Sequence, residues 1–284
     1  MMGKILKVAW VEYIGFMTSK RVLFMLFAFI FLAEDVVGKM GSIAAEYGYK
    51  IGRLEPIILI FSYQIHAMII PIMFVVMLSN FPSNEKSGYF TMCRINRLSW
   101  LFGEVIYAGM VGFTFILFLF AGTAAWIWKD SAFMTEWSPY MSKLYMEFPE
   151  VYEWNDRLFI KTETLAQGKP VGVMLHSVGL MMLYLLVLTL LLALFKLLSL
   201  KRVGIFLTVS ITLIGVALDN FNSVAKWIFP IVQGIYESHF IAYLARTEFP
   251  LAYSYIYFGV LIVVLCLINA KLVKRYVITE ESGS

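Results

Sequence analysis

Polar chemistry within the apolar part of this chain is concentrated at Ser62-Tyr63-Gln64-Ile65-His66, inside a run that is otherwise apolar from Pro56 to Leu78. Read as one straight helix rising about 1.5 Å per residue from Pro56, the run carries His66 about 15 Å inward, near the midplane of a bilayer core about 30 Å thick. An ionisable side chain at that depth faces the bundle interior or a cavity and is a candidate for substrate or proton handling. The plainer reading is a neutral imidazole in an interhelical hydrogen bond, and it is favoured because no acidic partner is visible at matching depth. Glu34 and Asp35 end the preceding apolar run and read as anchors near the surface. Gln64 and His66 are the candidate substrate-path residues, and Pro71, which lacks a backbone donor, is expected to kink the helix beyond them.

Other reactive constellations are missing from the sequence. His66, His176 and His239 fall in no HExxH or other metal-ligand spacing. Gly168-Lys169-Pro170 lacks the Ser/Thr after Lys and the upstream glycine of a phosphate-binding loop. There is no Gly-x-Ser-x-Gly elbow, and Cys93 and Cys266 read as ordinary small residues rather than a disulfide framework. No catalytic residue, metal ligand or cofactor site is expected in this chain.

The surrounding elements are membrane helices. Hydrophobic residues make up 61% of the chain and charged ones only 15%, far from the composition of a soluble domain. The net charge of +4 is spread over the flanks of apolar blocks, so no nucleic-acid surface is indicated. Pro56–Leu78, Val105–Trp128, Val171–Phe195 and Leu251–Ala270 are each long enough to span. Val22–Ala33 becomes long enough only by continuing to about Met40, and Val203–Leu218 is short. No Ala-x-Ala-like cleavage site follows the first run, which is expected to stay as a span. The fold class is thus an all-α polytopic membrane protein with six transmembrane helices in one domain, residues 1–284. With the N-terminus inside, 13 of the 23 Lys and Arg but only 5 of the 19 acidic residues lie on the cytoplasmic side. The positive-inside rule therefore places both termini in the cytoplasm.

Four segments do not span. Residues 1–20 form an amphipathic helix whose apolar arc includes Ile5, Ala9, Trp10, Tyr13 and Phe16, read as interfacial; a simple cytoplasmic extension of the first span is the alternative. Residues 129–170 are polar yet rich in aromatics and are expected to fold as an external cap. Residues 219–250 hold two short apolar pieces, Trp227–Val232 and Phe240–Leu244, read as re-entrant or interfacial helices of the outer leaflet.

The fourth segment, residues 81–104, is a charged island between the second and third spans. It resembles the corresponding loop of ABC-2-type transporter permeases, in which a Glu precedes Gly-Thr, a short helix and Pro-x-x-Arg follow, and Gly-Lys opens the next span. Glu85, Gly88, Arg97 and Gly103 stand at matching places; Tyr89 replaces the usual Thr, Asn96-Arg97 replaces the Pro-x-x-Arg approach, and Glu104 replaces Lys. The resemblance implies a coupling helix, with Glu85, Gly88, Tyr89, Arg94, Arg97 and Gly103 as the residues that dock an ATP-binding subunit. It also implies a permease of an ATP-driven bacterial exporter in the cytoplasmic membrane. Such a permease pairs with a second permease copy or paralogue and with two ATP-binding subunits that carry the ATP and magnesium. An amphipathic or hydrophobic substrate is compatible: an antimicrobial peptide, a drug or a lipid-like molecule. The rival readings are an ion-driven secondary transporter, which calls for several acidic residues at midplane depth, and a polytopic membrane enzyme.

Overall fold

The computed structural model describes residues 2–79, 81, 95–240 and 247–275. The described residues are all-α apart from one two-residue strand pair. It opens with α1 (Met2–Met17), followed by α2 (Val22–Leu32), a π-helical turn (Ala33–Gly38) and α3 (Lys39–Glu46), with helical dihedrals at both junctions. Next come α4 (Glu55–Ser62), α5 (Gln64–Met77) and α6 (Arg97–Trp126). Four short helices form the cap: α7 (Pro139–Ser142), α8 (Leu144–Glu147), α9 (Pro149–Trp154) and α10 (Thr162–Gln167). The long helices α11 (Pro170–Leu197) and α12 (Lys201–Asn220), the short α13 (Pro230–Gly234) and the last helix α14 (Leu251–Val273) complete the chain.

Among the described residues, α6, α11, α12 and α14 are long and apolar enough to cross a membrane, and the bent pair α4–α5 makes a fifth if it is one span. Consecutive long helices alternate in direction. Arg97 at the start of α6 donates to the Lys274 carbonyl just past the end of α14, at 2.8 Å. The α11–α12 pair is antiparallel, with Tyr184 bonded to Thr212 and Phe195 against Gly204. By contrast α11 and α14 run parallel, joined by His176–Tyr255 at one end and Asn269 to the Leu190 carbonyl at the other. The second helix follows α6, with Phe29 against Phe118 and Trp126. Its other face leaves Leu23, Phe27, Ile30 and Phe31 exposed, as a lipid-facing surface does.

The second apolar block departs from the expected straight span. Tyr63 is extended (φ −73°, ψ 121°), and α4 and α5 meet there at 84°. Pro71 lies inside α5, which continues through it without a break. The bend sits at Tyr63, past an α4 that is wholly enclosed by protein from Glu55 to Ser62, packed against α11 and tied to the cap through Glu55 and Ser138. His66 is therefore in the first turn of α5 rather than about 15 Å along a continuous helix.

The first helix packs its Ile5, Val8, Ala9 and Phe16 onto α6 and leaves Met2, Leu6, Trp10, Ile14 and Met17 exposed. The buried stripe is thus centred on Val8, which the sequence reading had not placed on either side of the arc. Gly103 makes the approach possible, since a Cβ there would lie 2.7 Å from Val8 Cβ and 3.1 Å from the Ile5 carbonyl oxygen. Small residues at such crossings let helix backbones come close. Gly103→Val is expected to cost about 1–3 kcal/mol by overpacking and to release α1. Limited trypsin digestion of the purified chain checks this, the variant being cut faster at Lys4, Lys7, Lys20 and Arg21.

The 129–170 segment folds over α4. Tyr140 stacks on Phe159 at 5.0 Å between ring centroids, and the Trp137 indole donates to the Leu165 and Gly168 carbonyls. The strands β1 (Ile51–Gly52) and β2 (Ser131–Ala132) pair in parallel and fix the start of the cap to the approach to α4.

Candidate functional site: a charged chamber under the cap

The break at Tyr63 opens onto a chamber of about 500 Å³. Its walls come from four places: Ser62 and Gln64 at the break, Asp219, Asn220 and Asn222 at the end of α12, Lys161 from the cap, and Glu237, Ser238, Phe240 and Glu248 from the chain between α12 and α14. Lys226 completes it from the same stretch.

Each wall has a local reason to stand where it does. Asp219 ends the apolar course of α12, so the carboxylate emerges where the helix leaves its apolar surroundings. Ser223 then accepts a hydrogen bond from the Ala225 amide and starts a 3₁₀ turn, Val224–Ile228, that carries Lys226 back toward Asp219. Pro230 opens α13, and all five of its residues are buried against α11, α12 and α14. Gly215 admits this stretch, because a Cβ there would fall 2.3 Å from Ile231 Cγ2.

Two ion-pair systems line the chamber. Lys226, 4% exposed, reaches Asp219 at 3.3 Å, Glu248 at 3.1 Å and the Asn222 amide oxygen at 3.0 Å, and lies 5.0 Å from the Trp227 ring centre. Asp219 also accepts from Gln64 Nε2 and from the Ser238 hydroxyl, each at 2.6 Å. The carboxylate is thus fully engaged, which is the condition under which a buried charge is tolerated. On the other wall Lys161 meets Glu237 at 2.8 Å. Burial alone pulls Lys161 down, but the Glu237 charge and hydrogen bond more than reverse it, and the ammonium is held above its usual range. Burial pushes Glu237 up, against the pull of Lys161.

On the far side of the Tyr63 break, His66 Nε2 is 3.0 Å from Asp35 Oδ2. Asp35 also pairs with Lys39 one turn on, and Arg157 of the cap lies 3.8 Å away. The π-helical turn at Ala33–Gly38 sets the register that carries Asp35 here, and such turns recur at functional positions. Asp35 is therefore the acidic partner of His66 and not a surface anchor. The expectation that His66 lacks one is corrected, because the bend brings its turn of α5 level with the Glu34–Asp35 end of the first long helix. His66 Nδ1 is buried and has no hydrogen-bond partner.

Of the residues singled out from sequence, Gln64 lines the chamber and His66 stands behind the break, so the bend separates two near neighbours in sequence. Arg97 caps the end of α14, where a helix leaves orphan carbonyls, and Gly103 holds α1. Those two serve separate contacts at the opposite end of the bundle. Glu85, Gly88, Tyr89 and Arg94 lie outside the described residues. Asp219, Lys226, Lys161, Glu237, Glu248 and Glu55 had not been singled out as site residues. The signal available for Asp219 was its position closing an apolar run.

No family model, no curated protein and no solved structure matches this chain.

A second buried network stands behind the chamber. His239 Nδ1 faces the Ile235 carbonyl oxygen at 3.0 Å, Nε2 meets the Ser254 hydroxyl at 2.7 Å, and Ser254 also bonds Gln233. Burial pulls His239 down to about 4 from its usual value near 6.5. A histidine depressed in the folded state binds fewer protons there than when unfolded. Its contribution is present above pH about 6.5 and is lost as pH falls through about 4. Thermal unfolding of the chain in detergent at stepped pH is expected to show this loss, about 2 kcal/mol by pH 5, with a shallower slope in His239→Gln.

Proposed function

We propose that this chain is the membrane subunit of an ATP-driven exporter of the ABC type, forming a path for an amphipathic or hydrophobic substrate. In this reading six helices span the cytoplasmic membrane of a bacterium: the 22–46 helix, the α4–α5 pair, α6, α11, α12 and α14. Both termini are cytoplasmic, and α13 with its flanking turns belongs to the outer leaflet. A second permease copy or paralogue and two ATP-binding subunits complete the machine.

The observation that carries the reading is the pairing of two unlike cavities along one bent element. Ser62 and Gln64 at the break face the charged chamber. Phe74, further down α5, lines an apolar cavity of about 200 Å³ shared with Ala108 and Gly112 of α6 and Gly179, Leu185 and Thr189 of α11. A molecule with a polar head and an apolar body finds both environments within about 15 Å of helix. A helix pair bent by 84° is also an element whose halves can move against each other. The placement of α1 along the base of α6, and the fully enclosed α13 before the last helix, agree with the layout that the ABC-2 resemblance implies.

A second reading, an ion-driven transporter, is favoured by the buried carboxylates of Asp219 and Glu237. Their existing ammonium partners give it less weight than the two cavities give the first. Co-purification with candidate ATP-binding subunits tests the exporter reading. The complex is expected to form, and to be lost in Glu85→Ala combined with Arg97→Ala. Because Arg97 also holds Lys274, Glu85→Ala is made alone as well. A complex that survives all these changes overturns the coupling role of the island.

A further inference from the structure

We propose that the chamber under the cap is a binding site for an organic cation bearing N–H donors, an alkyl ammonium or a guanidinium group. The inference rests on the exporter reading only for the biological use of such a ligand. Binding itself is a property of this chain alone.

Four observations converge. First, the described lining holds three carboxylates, Asp219, Glu237 and Glu248, against two ammoniums, Lys161 and Lys226. Among the described residues one negative charge is left without an equal, and a cation entering the chamber supplies it. Second, Ser62 is fully buried, lines the chamber, and its hydroxyl has no hydrogen-bond partner. A buried hydroxyl without a partner costs about 1–3 kcal/mol, which a ligand donor recovers. Third, Gln64 stands on the same wall, directly past the break. Gln64 gives its amide N–H to Asp219 and keeps its amide oxygen as a further acceptor.

The fourth observation is size and lining chemistry. A volume of about 500 Å³ is the size of a small-molecule site and far larger than a bare ion requires. Among the described residues no group of three or more His, Cys, Asp or Glu side chains is placed to hold a metal ion. Phe240 is the single aromatic in the described wall, so the described residues form no aromatic cage for a quaternary ammonium. The acceptors are oxygens, and oxygens select ligands that can donate to them.

The test uses the whole chain in lipid nanodiscs without any ATP-binding subunit. Isothermal titration calorimetry is run with 1,5-diaminopentane, with its bis-trimethylammonium counterpart, and with glutarate as an anionic control. The diamine is expected to bind saturably, the permethylated compound about tenfold more weakly or worse, and glutarate not at all. Asp219→Asn and Ser62→Ala are each expected to weaken diamine binding by about tenfold. Ser62→Ala keeps every ion pair, so it carries the test if Asp219→Asn fails to fold. The proposal is overturned if the folded chain gives no saturable heat with the diamine, if the permethylated compound binds equally well, or if Ser62→Ala leaves the affinity unchanged. ATP-driven export of uncharged substrates together with any of those results would leave the exporter reading standing and remove only this site.

Discussion

Lys226→Met is expected to destabilise the chain by about 3–5 kcal/mol, a large share of the stability of any single domain. The substitution keeps the length of the side chain and its packing on Trp227 while deleting the charge. Asp219 and Glu248 then face each other across the chamber without the ammonium that sits within 3.3 Å of both. Removing one partner of a buried pair costs more than the pair itself contributes, because the remaining charge stays desolvated. Unfolding titrations with a denaturing detergent measure the effect. Combining Lys226→Met with Asp219→Asn should recover part of it, and that recovery separates the electrostatic cause from simple loss of packing.

The second large effect is at Glu55, which fastens the cap. Its carboxylate is fully buried and accepts from the Gly52 amide at 2.9 Å and from both the amide and the hydroxyl of Ser138 at 2.6 Å. Ser138 is also the N-cap of α7, its hydroxyl accepting from the Met141 amide. One side chain at the start of α4 thus organises the strand junction before it and the first helix of the cap. Glu55→Ala leaves three buried donors without a partner, each costing about 1–3 kcal/mol before relaxation. A net loss of about 3 kcal/mol or more is expected, concentrated in the cap. Hydrogen exchange should show residues 131–142 losing protection while α11 keeps its own. Glu55→Gln, which retains an acceptor of the same shape, should lose clearly less.

These two sites show where sequence reasoning reached and where it stopped. The long apolar helices were legible, because lipid exposure on one side and helix packing on the other both demand apolar residues. Even the short Val203–Leu218 run proved to sit within a helix, Lys201–Asn220, of spanning length and hydropathy. The break at Tyr63 was not legible. The strongest local breaker, Pro71, lies seven residues past the polar Gln64 and leaves α5 intact, while the bend falls at Tyr63, where the enclosed α4 ends. A straight-helix depth for His66 followed from that missing bend, and so did the failure to pair it with Asp35. The chamber escaped notice for a related reason. Lys161 lies in the cap and Asp219, Lys226, Glu237 and Glu248 are spread over thirty residues of sequence, and only the docking of α13 against Gly215 folds that later stretch back onto the break.

ATP-dependent movement of substrate decides the exporter assignment most directly. The chain is reconstituted in liposomes with a candidate ATP-binding subunit that co-purifies with it, and uptake of a fluorescent cationic amphiphile is followed with ATP, without ATP, and with imposed proton or sodium gradients. Uptake that requires ATP hydrolysis and falls to background in Glu85→Ala is the predicted result. Uptake driven by an ion gradient in the absence of ATP, and unchanged by Glu85→Ala, would contradict it and point to the ion-driven alternative.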